Sequence, residues 1–291
     1  MVHLQRTVLG LLAGSVSILV TCTLLSAIAS LDLISHAFQF AVAQSRNSTS
    51  ASPPSPLEQL SAQQTAASTN ETCTLTPSLI EVESTPQQTQ GPYFVDGMPN
   101  RSDIRSDSSD GSVQEGIPLH LVINVYDVDD DGHCVPLSGA QVDIWHANSQ
   151  GVYSGVEQDG TGGKNFLRGY QVTDDNGTVR FTTTYPGWYE GRAIHIHAKV
   201  RALEGLEDPF EWTSQFYLNN SVNEHVHRQS PYSNHGPVDL TNEEDGIYTG
   251  PSTDDLVQAN TGEHLMLNLI EDEQGYVGTF NIGVNANQSE R

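Results

Sequence analysis

The chain has 291 residues, with 36 Asp and Glu against 12 Lys and Arg, a formal net charge of −24. Such a balance repels nucleic acid and anionic membrane surfaces, so neither is an expected partner. The length suits one domain able to bury a sizeable core.

Residues 1–43 read as an export segment, either a signal peptide or a membrane anchor. Residues 7–29 are almost wholly apolar, and Ala41-Val42-Ala43 offers a small-x-small cleavage site. The same run is long enough to span a bilayer, so an uncleaved anchor stays open. Either way the protein is expected to be exported (secreted, periplasmic or at the cell surface), with the mature domain outside the membrane. Residues 44–75 are rich in Ser, Thr, Gln and Pro and read as a flexible linker. Cys22 lies in the leader, which leaves Cys73 and Cys134 as an expected disulfide pair in an oxidising compartment.

From 76 to 284 the pattern is β, with residues 285–291 a flexible tail. Apolar and polar residues alternate over 117–125, 140–147, 178–184, 193–200, 264–270 and 276–282. Clusters such as Asp174-Asp175-Asn176-Gly177 punctuate these runs as turns. Residues 245–262 carry turn residues without a period and read as a surface loop. The fold class is therefore all-β, a single β-sandwich with long functional loops.

Arg192-Ala193-Ile194-His195-Ile196-His197-Ala198-Lys199-Val200 is the segment richest in chemistry. On a strand, Ile194, Ile196, Ala198 and Val200 share a core face, and His195 and His197 share the other. Two imidazoles on alternate strand residues make a chelating pair for Zn, Cu, Fe or Ni. The bland alternative is two solvated histidines on an outer face. His225-Val226-His227 has the same spacing but polar flanks, and reads as a loop. A cupin would need a glutamate where Arg201 and Ala202 stand. Asp127 to Gly132 starts like a calcium loop but has Ser138 at its twelfth position, so it reads as a solvated acidic turn.

Tyrosines flank the first pair. Tyr189 follows the Pro186-Gly187 turn, and Tyr153 lies in Gly151-Val152-Tyr153-Ser154. A phenol titrates near pH 10 and ligates poorly when protonated; a trivalent cation would lower that sharply. Two phenolates and a hydroxide would balance three positive charges, leaving neutral imidazoles to complete the shell.

Several motifs together resemble the intradiol ring-cleavage dioxygenases, most of all the exported single-domain branch related to protocatechuate 3,4-dioxygenase. They are Gly91-Pro92-Tyr93-Phe94, Arg101-x-Asp103-Ile104, Cys134-x-Pro136-Leu137, Val142-Asp143-Ile144-Trp145-His146, Gly151-x-Tyr153-Ser154 and Tyr185-Pro186-Gly187-Trp188-Tyr189-x-Gly191-Arg192-x-x-His195-Ile196-His197. The resemblance implies a non-haem Fe(3+) held by Tyr153, Tyr189, His195 and His197. It also implies that Arg192 and, on a shorter motif, Gln215 face the substrate, a small aromatic diol that reacts with O2. Tyr189 would leave the metal to act as base, and the ring would open to a cis,cis-muconate-type diacid. Tyr185 competes with Tyr189 for the axial place. The acidic chain favours a neutral catechol or hydroxyquinol over a carboxylated diol.

A reading from another class remains. Pro136 to Ile144, Thr173 to Phe181 and Tyr185-Pro186-Gly187 also resemble transthyretin-like and carboxypeptidase-regulatory-like modules. Such modules are structural or bind partners without catalysis, and they make the expected sandwich prealbumin/transthyretin-like. The four ligands with Arg192 are what separates the two readings.

Overall fold

The computed structural model describes residues 84–129, 133–201, 210–254 and 257–285. Within them the regular structure is mostly strand, arranged in two sheets. β1 (Pro118–Val128), β2 (Cys134–Pro136), β5 (Thr178–Thr184), β8 (Asn268–Glu271) and β9 (Tyr276–Val284) form the first. Its order is β2-β1-β9-β8, with β5 also on β1, and β1 runs parallel to β9. β3 (Gln141–Trp145), β4 (Arg168–Val172), β6 (His195–Arg201) and β7 (Glu211–Tyr217) form the second, antiparallel throughout in the order β4-β3-β6-β7.

The alternation read from the sequence explains the shared core. Leu119, Leu121, Ile123 and Val125 of β1 meet Val142 and Ile144 of β3 and Ile196, Ala198 and Val200 of β6, all at most 1% exposed. Phe216 of β7 stacks on Phe280 of β9 at 4.3 Å between ring centres. Each such aliphatic side chain contributes about 1.5–3 kcal/mol by leaving water.

The expected strand at 178–184 is β5, and the one at 276–282 is β9, which runs on to Val284. The expected strand at 264–270 is instead a 3-10 turn, Thr261–Leu265, followed by β8. β2, β4 and β7 were not foreseen. β7 is buried on both faces along nearly its whole length, so it lacks clean alternation. The loop reading of His225-Val226-His227 is corrected: Asn220–His227 is a helix, α1, capped by the Asn219 side chain accepting from Ser221 N (2.9 Å). The surface-loop reading of 245–262 is corrected too, because Asp245, Tyr248 and Thr261 are buried.

Cys134 is disulfide-bonded. Cys22 and Cys73, the export segment, the linker and most of the tail lie outside the described residues.

Candidate metal centre

Directly paired residues of a sheet point to the same side. Pairing sets Arg168 against Trp145, Trp145 against His197, and His197 against Gln215. These four therefore form one row across the second sheet, on the face turned away from the shared core. His195, paired with Tyr217, stands on that face one step along. This face is not solvated. Met98, Trp145, Ala147 and Tyr153 form a second buried cluster with Tyr93, Phe94 and Tyr189 packed against it. His195 and His197 are 3% and 1% exposed, which disposes of the outer-face alternative.

The tyrosines arrive on loops that approach backbone to backbone. Gly151 has φ of 75°, and a Cβ there would lie 2.2 Å from Trp188 O. A Cβ on Gly187 would lie 2.3 Å from Asn148 O, the atom that accepts from Gly187 N (3.1 Å). Only glycine permits this approach at either position. It brings Tyr153 and Tyr189 edge to face at 5.6 Å.

Four donor atoms converge. His195 Nε2 lies 3.4 Å from Tyr153 Oη, 3.3 Å from Tyr189 Oη and 3.2 Å from His197 Nε2. His195 Nδ1 donates to Ala193 O (2.6 Å), which fixes the tautomer and leaves Nε2 with its lone pair. His197 is held by stacking on Trp145 at 4.8 Å, with the planes 2° apart. Burial first, and Arg192 second, push both imidazoles well below the usual histidine range, so they are neutral. Burial, then the neighbouring Tyr189, pushes the Tyr153 phenol well up. Tyr189 is also pushed up by burial, with Arg192 opposing.

This donor set fits a cation. One lone pair on His195 accepts one hydrogen, yet three more donor atoms crowd it out of reach of water. A positive ion at the convergence satisfies all four. Two imidazoles and two phenolates suit a trivalent first-row metal.

Tyr185 does not compete. Its hydroxyl is buried and donates to Asn223 Oδ1 (2.6 Å), while Tyr189 carries the hydroxyl beside His195.

Arg192 stands at the rim of the cluster. Its Nη2 donates to Gln215 Oε1 (2.5 Å), its Nη1 lies 3.4 Å from Tyr189 Oη, and its Nε donates to Asp245 Oδ2 (2.9 Å). Gln215 is locked in turn by donating from Nε2 to Thr89 O (3.0 Å). Asp245 is 1% exposed and also accepts from Ala193 N (2.9 Å) and Ile247 N (2.7 Å). Sequence reasoning missed Asp245 because it lies in an aperiodic segment. A buried arginine needing a carboxylate was the one available signal. Arg168 was missed as well: it is 2% exposed and sits beside Tyr153. Its burial pushes the guanidinium down to about 10, with the charge of Tyr153 opposing.

Comparison with known proteins relates the chain to dioxygenases. The dioxygenase family model Dioxygenase_C matches residues 89–210, a span holding Tyr153, Tyr189, Arg192, His195 and His197 but not Gln215. An intradiol ring-cleavage dioxygenase of Tetranychus urticae is 29% identical, with a TM-score of 0.59 over 72% of this chain and 98% of that one. A second dioxygenase structure is 30% identical, with the same TM-score and the same coverage. A chlorocatechol 1,2-dioxygenase of Pseudomonas putida is 30% identical over 44% of this chain and 52% of its own length. A catechol 1,2-dioxygenase of Acinetobacter baylyi is 35% identical over 36% of this chain and 32% of its own. The chain thus spans about half, or less, of the curated relatives it matches.

Proposed function

This chain belongs to the intradiol ring-cleavage dioxygenase family, and on that premise we propose that it is a non-haem iron(III) dioxygenase acting on catechol-type diols. The ring opens between the two hydroxyl-bearing carbons with O2 and gives cis,cis-muconate-type diacids. The observation that carries this reading is the convergence of Tyr153, Tyr189, His195 and His197 around one buried point. A binding module of the same fold has no use for it. The reading includes a prealbumin-like sandwich and export by the 1–43 segment.

Tyr153, Tyr189, His195 and His197 would hold the ion. Bound there, iron(III) supplies acidity to a chelated diol and makes its ring reactive toward O2.

The chain's own residues do the rest. Tyr153 is 1% exposed and stacked on Tyr93 at 4.5 Å, so it stays in place. Tyr189 is less buried and sits at the Arg192 rim, so its Oη is the group able to swing out and take a diol proton. Arg192 keeps its full charge beside the cluster and stabilises negative charge that develops on the ring. Asp245 and Gln215 hold the guanidinium in that pose before substrate arrives. The aromatic wall of Tyr93, Phe94, Trp145 and Tyr153 keeps water away. A neutral catechol or hydroxyquinol suits a chain of charge −24 better than a diol bearing a carboxylate.

The test is iron content with a visible spectrum. Iron-loaded protein should show a red-brown tyrosinate-to-iron band that shifts when catechol is added without oxygen. Admitting oxygen should then yield a muconate-type diacid. A protein that stays colourless after loading would falsify the reading.

A further inference from the structure

Arg168 is a cation in the wrong place by ordinary rules. It is 2% exposed, yet among the described residues its guanidinium donates to no carboxylate. A buried guanidinium without an anion is costly, and removing water from it needs compensation close by. Its hydrogen bonds all go to neutral oxygens. Nε donates to Ser154 Oγ (2.7 Å), Nη1 to Tyr93 O (2.9 Å), and Nη2 to Ser154 O.

Those three acceptors belong to two segments. Ser154 follows Tyr153 directly, and Tyr93 is the ring stacked on Tyr153. One planar fork therefore ties the backbone carrying Tyr153 to the backbone carrying the aromatic ring against it. Ser154 Oγ closes the tie by donating to Phe166 O (2.6 Å), two residues from Arg168 itself. The base of the fork is held as well, because Arg101 Nη2 and Nε both donate to Arg168 O (2.8 and 3.3 Å). Arg168 also lies in the same cross-sheet row as Trp145, His197 and Gln215.

We infer that Arg168 is a positioning residue for the metal centre. Its fork fixes the Tyr153 oxygen at the convergence point, and its unpaired charge makes that position one that favours an anionic oxygen ligand. The inference rests on the metal reading given above. It adds a residue that touches neither metal nor substrate and acts through Tyr153. The two parts of the role are separable. The fork governs how firmly the ligand is held, and the charge governs the energy of the tyrosinate that donates to the ion.

Two variants of the iron-loaded full chain separate them, with Tyr153→Phe as the control. Arg168→Met keeps length and removes both fork and charge. Arg168→Lys keeps charge and loses the planar three-way tie. The readouts are the position of the tyrosinate-to-iron band and the rate at which a chelator strips the iron. Removing a positive charge beside a phenolate raises the energy of its electrons, so Arg168→Met should shift the band to longer wavelength. It should also lose iron at least about tenfold faster, the low end for a group that orients a ligand. Arg168→Lys should keep the band near its wild-type position and lose iron several-fold faster. A merely structural residue would change melting temperature and leave the band where it is.

Arg168→Met with the wild-type band and wild-type iron retention would overturn the inference. If that variant does not fold, Arg168→Lys decides alone, and wild-type retention in it overturns the fork. A wild-type protein that takes up no iron overturns the metal reading and this inference together. A wild-type band that Tyr153→Phe alone alters overturns this inference only.

Discussion

His195-Ile196-His197 lies on β6 and His225-Val226-His227 on α1, and the two tripeptides share one spacing. On the strand, residues two apart point to the same side, so the two Nε2 atoms meet at 3.2 Å. On the helix, residues two apart are rotated by about 200°, so the pair separates. His225 is exposed, while His227 is 3% exposed and donates from Nδ1 to Asn223 O (2.8 Å). Spacing alone therefore says nothing about chelation. The secondary structure under it converts the same letters into a ligand pair or into one core residue and one surface residue.

The comparison breaks first at His197. His197→Ala should abolish iron retention and colour together, as should Tyr153→Phe, measured by metal content after dialysis against a chelator. If His197→Ala holds iron as the wild type does, the strand pair is not the metal site.

A third histidine, His146, shows what burial costs in acid. Its Nδ1 donates to Ala147 O (2.8 Å) and its Nε2 faces Thr183 Oγ1 (2.7 Å), and burial pushes its pKa down to about 4. The unfolded chain then binds the proton more readily than the native one, by comparison with an ordinary value near 6.5. The contribution is complete above that ordinary value and is lost as pH falls from there to about 4, by about 3 kcal/mol. Urea unfolding at pH 7 and pH 4.5 should show a smaller acid loss in His146→Gln than in the wild type. Equal losses would mean the histidine is not held neutral.

Asp245 comes next. Asp245→Ala leaves Arg192 without its carboxylate, so kcat/KM should fall about 10- to 100-fold at unchanged iron content, the range for a misplaced substrate-facing group. Asp245→Asn keeps an acceptor for Ala193 N or Arg192 Nε and should recover part of the loss. Equal steady-state rates in all three proteins would remove Asp245 from the machinery.

How much of this was legible beforehand follows from where the signal resides. The His195/His197 pair was readable without any family knowledge, because strand alternation is local and Ile194 and Ile196 mark the core side. Tyr153 and Tyr189 needed the resemblance, since each sits in a loop whose path depends on Gly151 and Gly187 meeting a distant backbone. That approach is a tertiary fact with no period. Asp245 and Arg168 were invisible for a related reason. Their partners, Arg192 and the Tyr153 segment, are distant in sequence, and neither lies in a motif with a fixed offset. The helix at 220–227 was missed because it is short and polar, with Val226, Asn223 and His227 buried and Val222 partly so.

The two remaining predictions divide the second tripeptide. His227→Ala removes a buried ring packed 5.0 Å from Tyr232, so it should cost about 2 kcal/mol of stability by opening a cavity. Iron retention and the tyrosinate band should not change. His225→Ala removes an exposed side chain from the last turn of α1, beside the helix C-terminus. Any favourable interaction of that ring with the helix dipole is a few tenths of a kcal/mol. The variant should therefore match the wild type within about 0.5 kcal/mol at neutral pH, with identical metal content. A weakened iron site in His225→Ala would show that the helical pair communicates with the strand pair, and the contrast drawn from their geometry would fail.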